Sequence, residues 1–184
     1  GGTGTRLSPL TKSVNKQLLP LYDKPLIFYP LSILMLAGIK NVLIIVNNGQ
    51  EKNFFNILGN GKRYGINIKY KVQKKPRGIA DAFILGKDFI KNDNVALVLG
   101  DNFFYGQSLT AKLLKAKSHN SGATIFLKTV KNPESFGVAV IKKLQISKIV
   151  EKPKKFISNQ AITGLYFFDN KVVQIASKVK PSKR

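Results

Sequence analysis

The chain has no cysteine and no tryptophan, and a single histidine, among its 184 residues. Without cysteine there is no disulfide, no thiolate metal site and no cysteine nucleophile. One histidine cannot build a zinc site, and a serine–histidine–aspartate triad would rest wholly on His119. That residue lies in Ser118-His119-Asn120-Ser121-Gly122, which reads as a surface turn after a helix, so it receives no catalytic role. Long apolar runs are also missing. The longest, Leu26 to Ile39, contains Pro30 and falls short of the roughly 18 residues of a membrane helix. Acidic residues are scarce: 9 Asp and Glu stand against 31 Lys and Arg, a net charge of +22. Such an excess attracts polyanions, whether nucleic acid, a membrane surface or phosphorylated substrates. The cations are mostly lysines scattered along the chain, and the densest clusters, Lys152 to Lys155 and Lys178 to Arg184, are short. We read the charge as a solvated surface rather than a nucleic-acid site. What the chain does have is apolar residues, 43% of the total, enough for a sizeable core; this excludes a disordered polar chain. The length suits one domain, spanning residues 1–184.

Periodicity predicts alternating strands and helices. Val42 to Val46 and Val95 to Leu99 are continuous apolar runs, as for strands buried on both faces. Ile66 to Val72 alternates, with Ile66, Ile68, Tyr70 and Val72 on one side. Ala123 to Val130, Val138 to Ile141, Ile146 to Val150 and Ile162 to Phe168 complete the strands. Helices are predicted over Pro30 to Ala37, Glu51 to Leu58, Gly78 to Ile90, Leu109 to Lys117 and Asn170 to Lys178, the last with Asn170 as N-cap. Tyr64, Tyr70 and Tyr105 are expected to pack in or beside the core. The alternation argues for an α/β fold with a largely parallel sheet, whose ligands bind where strands end. The chain opens on Gly1-Gly2-Thr3-Gly4-Thr5-Arg6, with no strand before this turn, and closes on the basic Val179 to Arg184; both ends predict a segment of a longer chain.

Four motifs carry chemistry. In the first, Gly1, Gly2, Thr3, Gly4 and Thr5 can turn several N–H groups toward phosphate oxygens, Arg6 adds a fork of donors, and Lys16, beside Gln17, adds a mobile charge. The spacing is neither a Walker A loop nor a dinucleotide fingerprint, and glycines alone are equally a surface turn. In the second, the apolar run Leu97-Val98-Leu99 delivers Asp101, followed by Asn102, at a strand's carboxyl end. A carboxylate there suits Mg²⁺ held against a triphosphate, or caps the next element. The third is Gln73 with Pro76-Arg77-Gly78-Ile79-Ala80-Asp81-Ala82; on sequence alone Gln73 reads as an exposed strand-end residue and Gly78 as an ordinary helix-start glycine. The fourth comprises Phe136-Gly137, Glu151-Lys152-Pro153 and Ile162-Thr163-Gly164.

With these strings on the page, and above all Gly-x-Gly-Thr-Arg-Leu-x-Pro-x-Thr followed by Lys-Gln-Leu-Leu-Pro, the chain resembles the sugar-phosphate nucleotidyltransferases, and within them the branch that uses dTTP and glucose-1-phosphate. The resemblance covers essentially the whole chain. It implies a Rossmann-like three-layer sandwich with a mostly parallel mixed sheet. It implies Arg6, Lys16 and Asp101 as catalytic residues, with Asp101 the Mg²⁺ ligand. Gly1 to Thr5, Gln17, Gln73 and Gly78 would bind the nucleotide. Asn102, Gly137, Glu151, Lys152 and Ile162 would bind the sugar phosphate. It further implies small-molecule substrates, no membrane, a homo-oligomeric parent, a cytoplasmic location and supply of nucleotide sugars, dTDP-rhamnose among their uses, for polysaccharides. Relative to the family, the first strand before Gly1 and a portion after Arg184 carrying a second metal carboxylate are expected to be missing. The rival readings are the same chemistry with UTP or another nucleotide, and a non-catalytic nucleotide or nucleic-acid binder.

Overall fold

The computed structural model describes residues 7–12, 14–75, 77–119 and 121–180. The chain first makes a short antiparallel ribbon, β1 (Pro20–Leu21) with β2 (Lys24–Pro25), which sequence periodicity did not reveal. Helix α1 (Phe28–Leu36) follows, with Pro30 in its first turn, where a missing N–H costs nothing. It stops at Gly38, whose φ of +66° is the left-handed conformation that ends many helices; there Ile39 N donates to Leu34 O at 3.0 Å.

Strand β3 (Asn41–Asn47), helix α2 (Glu51–Leu58) and strand β4 (Asn67–Gln73) form a right-sized β–α–β unit. β3 and β4 pair in parallel from Asn41 opposite Asn67 to Asn47 opposite Gln73. Ile66 and Ile68 are buried with Val42, Val46, Phe54 and Leu58, while Tyr70 and Val72 pack against the same cluster, as the alternation predicts. Leu43, Ile44 and Ile45 are half-buried rather than buried on both faces, because β3 is paired on one side only, by β4, among the described residues.

The helix predicted from Gly78 to Ile90 is two: α3 (Ala80–Leu85) and α4 (Lys87–Ile90), broken at Gly86. Gly86 caps both helices with ψ near 0°, and a Cβ there would stand 3.0 Å from Ala82 O. Then come β5 (Val95–Val98), α5 (Leu109–Ser118), β6 (Ala123–Thr129), β7 (Gly137–Lys142), β8 (Gln145–Glu151), β9 (Gln160–Phe168) and α6 (Val172–Lys178). Asn170 is not the N-cap of α6. Its amide donates to Asn92 O at 2.9 Å, while Asp169 Oδ1 accepts from Lys171 N at 3.1 Å.

A five-stranded sheet runs β5-β9-β7-β8, with β6 also on β9. Its ladders are antiparallel, so parallel pairing among the described residues resides in β3 and β4. β9 enters the sheet against the direction of both β5 and β6, and β7 and β8 are joined by the two left-handed residues Lys143 and Leu144, a turn that only an antiparallel hairpin uses. β8 pairs only with β7 among the described residues, and the hairpin register slips between Val140 and Ile141. Helix α1 serves two cores, with Leu31 and Leu34 in one and Ile33 and Ala37 in another that includes Leu113 and Leu165. Each fully buried leucine of this kind contributes on the order of 1.5–3 kcal/mol. A third cluster joins Phe83 and Ile90 to Val172 and Ala176 of α6. Tyr64 packs on the first core, but Tyr105 is 92% exposed. No helix among the described residues is long and apolar enough to cross a membrane.

Candidate active site

The carboxyl end of β5 is where the expected carboxylate lies. Leu99 N donates to Gly164 O at 3.0 Å, prolonging the contact with β9, and the chain then turns through Gly100 into Asp101. A Cβ on Gly100 would stand 3.2 Å from Gln17 Cγ and 3.4 Å from Ile27, so the glycine permits the Gln17 segment to approach. That segment is one 3₁₀ turn, Lys16–Leu18, capped by Asn15, whose side chain accepts from Gln17 N at 3.0 Å. From it Lys16 Nζ reaches Asp101 Oδ2 at 2.8 Å. Both side chains remain about a third exposed (34% and 33%), so the pair is worth at most ~1 kcal/mol in stability.

Gln73 ends β4 and is only 7% exposed. Its Nε2 donates to Asp81 Oδ2 at 2.7 Å. Gly78, at φ +90°, turns the chain between them. Gln17, Gln73, Gly78 and Asp101 line one cleft of about 1440 Å³ between β3 and β5. His119 lines it too, exposed at the end of α5, where its backbone N–H donates to Ala116 O.

A second group forms where β7, β8 and β9 meet. Gly137 and Glu151 are register partners, and a Cβ on Gly137 would stand 2.8 Å from Glu151 Oε2 and 3.8 Å from Ile162 Cδ1. Lys152 follows in the left-handed conformation, φ 44°, with its N–H on Phe136 O at 2.9 Å. Asn102 Nδ2 donates to Thr163 O. A Cβ on Gly164 would stand 2.6 Å from Asn102 Nδ2 and 2.6 Å from Leu99 Cδ1, so the glycine lets the Asp101 loop lie directly on β9. Asn102 thus joins the two groups. Burial, helped by the Glu151 carboxylate, raises the Tyr166 phenol above its usual range.

The predicted site residues therefore assemble in two neighbouring sets, one around Lys16, Gln17, Gln73 and Asp101 and one around Gly137, Glu151, Lys152 and Ile162. Gly1 to Thr5 and Arg6 lie outside the described residues. Asp81 and Gly164 stand inside the third and fourth motifs but received no role of their own from sequence; the available signals were an acid in the first turn of a helix and a glycine inside a strand. Among the described residues no group of three or more His, Cys, Asp or Glu could hold a metal alone. A single carboxylate completed by substrate phosphates and water is nonetheless a common way to hold Mg²⁺, and Asp101 fits that role.

In an α/β frame the carboxyl end of a strand is where ligands bind, and the Lys16–Asp101 pair lies at such an end. The chain matches the family described as Nucleotidyl transferase over residues 1–184 and belongs to it. It is 54% identical over its whole length to glucose-1-phosphate thymidylyltransferase of Neisseria meningitidis, and 46% identical to that of Mycobacterium tuberculosis. It spans 64% of the length of each of these relatives. Among solved structures, a candidate glucose-1-phosphate thymidylyltransferase from Bacillus anthracis, in complex with a sucrose, superposes with a TM-score of 0.91 at 38% identity, covering 99% of this chain and 74% of that one. UDP-glucose pyrophosphorylase complexed with UDP-glucose superposes with a TM-score of 0.83 at 26% identity, covering 100% of this chain and 79% of that one.

Proposed function

We propose that the protein containing this chain joins dTTP to glucose-1-phosphate, giving dTDP-glucose and pyrophosphate. The observation that carries the reading is the 2.8 Å Lys16–Asp101 pair at the end of β5, in contact with a cleft that Gln17 and Gln73 share. Relatives of 46–54% identity named for this reaction support it. In the reaction a phosphate oxygen of the sugar attacks the α-phosphorus of dTTP in line. The new O–P bond forms as the bridging α–β P–O bond breaks, and pyrophosphate leaves with the bonding pair. The attacking oxygen is already anionic, so the protein needs no base, which agrees with a chain poor in histidine and free of cysteine. Catalysis is then positioning and charge neutralisation. Lys16 and Arg6 offset the triphosphate's charge, and the N–H groups of Gly1 to Thr5 and the side chain of Gln17 hold it. Gln73 meets the base edge, and Gly78 brings backbone against the base. Glu151 accepts from sugar hydroxyls, Lys152 neutralises the sugar's phosphate, and Asn102, Gly137 and Ile162 flank the ring. Asp101 would hold Mg²⁺, whose chemistry there would be to supply positive charge against that of the phosphates.

We read the chain as one nucleotidyltransferase unit of a cytoplasmic homo-oligomer that supplies nucleotide sugars, including those leading to dTDP-rhamnose and polysaccharides. Exposed lysines are spread over α2, β4, α5, β7 and α6 (Lys52, Lys69, Lys112, Lys142 and Lys178), a distribution that favours small phosphorylated substrates over nucleic acid. UTP differs from dTTP at the base by one methyl, worth ~1–3 kcal/mol of discrimination. The test is pyrophosphate release by the protein that contains this chain, with glucose-1-phosphate and dTTP, UTP or dCTP, with and without Mg²⁺. The expected result is release that requires both substrates and the metal and is fastest with dTTP. Release independent of glucose-1-phosphate, or none with any nucleotide, overturns the reading.

A further inference from the structure

The Lys16–Asp101 pair joins a long arm to a short one. Asp101 carries its carboxylate on one methylene, and the main chain around it is tied down. Leu99 N donates to Gly164 O at 3.0 Å, Asn102 N donates to Leu99 O at 3.2 Å, and the Asn102 side chain donates to Thr163 O. The main chain of Lys16 is as firm. Asn15 caps its turn, Leu19 N donates to Lys16 O at 3.2 Å, and Ile27 N donates to Gln17 O at 2.9 Å. The lysine, however, crosses to its partner on four rotatable methylenes, so its ammonium can leave while both backbones stay in place. While it stays, Nζ lies 2.8 Å from Asp101 Oδ2 and offsets the charge of that carboxylate. Among the described residues no cluster of three or more His, Cys, Asp or Glu offers a cation another hold. A hard divalent cation needs the oxygen that the ammonium covers, and the two like charges repel at such a range. A triphosphate reverses the balance, because it sets several negative charges before the ammonium where Asp101 sets one.

We infer that Lys16 guards Asp101: it closes the carboxylate to divalent cations in the free protein and opens it when its ammonium passes to a triphosphate. The inference rests on the proposed roles of Asp101 toward the metal and of Lys16 toward the nucleotide. It adds that one lysine couples the two. By linkage the coupling is reciprocal: a cation on Asp101 favours a lysine turned to the nucleotide, and a nucleotide on the lysine favours an open carboxylate. Both side chains are about a third exposed (34% and 33%), so neither charge has to be drawn from a sealed interior for the exchange.

The experiment uses Mn²⁺ as the probe, followed by loss of the paramagnetic resonance signal of the free ion, on the protein that contains this chain. Wild type is compared with Lys16→Met, Lys16→Arg, Lys69→Met and Asp101→Asn, and with Lys16→Met combined with Asp101→Asn. Methionine keeps much of the length of lysine without its charge. Lys69 is exposed and lines the same cleft, so Lys69→Met measures what the loss of a more distant cation does. Without nucleotide, Lys16→Met should bind Mn²⁺ at least ~5-fold tighter than wild type, and the double variant should lose that gain. Lys16→Arg and Lys69→Met should stay within about twofold of wild type. With EDTA present, calorimetry should show dTTP binding to Lys16→Met at least ~5-fold more weakly than to wild type. The Mn²⁺ complex of dTTP should bind Asp101→Asn at least ~5-fold more weakly. If Lys16→Met gains no Mn²⁺ affinity, or Lys69→Met gains as much, while both dTTP results hold, the inference falls alone. A gain that survives in the double variant, or undiminished binding of the Mn²⁺ complex by Asp101→Asn, overturns the placing of the metal on Asp101 and the inference with it. Undiminished binding of dTTP by Lys16→Met in EDTA does the same for the role of Lys16.

Discussion

The two halves of the site are built by different means. Around β4 and β5, polar side chains meet polar side chains: Gln73 with Asp81 at 2.7 Å and Lys16 with Asp101 at 2.8 Å. Around β7, β8 and β9, backbone comes close because side chains are absent: Gly137 beneath Glu151, and Gly164 beneath Asn102. Both halves have buried strand residues behind them: Val42, Val46 and Ile68 behind the first (6%, 3% and 6% exposed), and Val138, Ala139 and Leu165 behind the second (each 0%). The second half borders a hairpin whose Leu144 is 99% exposed and whose Ile149 is 50% exposed. Packed surroundings can hold a charged or amide group in one orientation at little further entropic cost. In the second half the close approach of one strand's backbone to its neighbours sets the shape instead, and glycine is what permits it.

That contrast can be broken at its backbone half first. Gly164→Ala should destabilise the fold by about 3 kcal/mol, or roughly 10 °C in Tm, by combining overpacking with a left-handed alanine. The new methyl would stand 2.6 Å from both Asn102 and Leu99 at φ +78°. Thermal denaturation checks this, and a loss under about 1 kcal/mol would show that β9 can shift away. In the polar half, Asp101→Asn should cut turnover at least ~100-fold, since it removes a charged oxygen from the proposed metal position. A variant with near-normal pyrophosphate release would remove Asp101 from that role. Lys16→Ala should reduce turnover by more than it reduces stability. The pair is one-third exposed, so unfolding free energy should fall by no more than ~1 kcal/mol.

Gly137→Ala sharpens the comparison. Its methyl would meet Glu151 Oε2 at 2.8 Å, but that atom is the end of a flexible, exposed side chain that can swing away. Stability should change by under ~1 kcal/mol, while glucose-1-phosphate affinity falls as Glu151 is displaced. The smallest effect expected is at alkaline pH. Burial raises the phenols of Tyr70 and Tyr166 above their ordinary value of 10.0. Both favour the neutral form in the folded state, so their contribution is complete below about pH 10 and is lost as pH rises through the raised values. Tyr166→Phe should flatten the alkaline limb of the stability curve, measurable by urea titration between pH 9 and 11.

Much of the frame was legible because burial leaves a local signature. The apolar runs over 42–46 and 95–99 and the alternation over 66–72 each became a strand with bounds within a residue or two. Asp101 was legible because a carboxylate directly after an apolar run stands at a strand's exit. Direction was not legible: an apolar run such as Ile162 to Phe168 packs equally well either way, and the antiparallel course of β9 is settled by its neighbours. The break at Gly86 was not legible either, since a glycine inside an apolar helical pattern is often carried through without interruption. The Gln73–Asp81 contact depends on a turn whose geometry one glycine allows, and neither residue alone announces a partner. The phosphate loop from Gly1 to Arg6 remains a reading of sequence and kinship.

The slipped register of the β7–β8 hairpin also bears on how molecules of this protein meet one another. An outer strand offers a row of backbone donors and acceptors to any passing strand, and Ile146 and Ile149, 38% and 50% exposed, would reward such an encounter. The irregularity between Val140 and Ile141 twists that rim, and Lys142, Lys143 and Lys148 set like charges where two copies would have to align. Positive charge on the turn and on both strands of an outer hairpin disfavours pairing with a second copy, which a row of neutral residues there would invite.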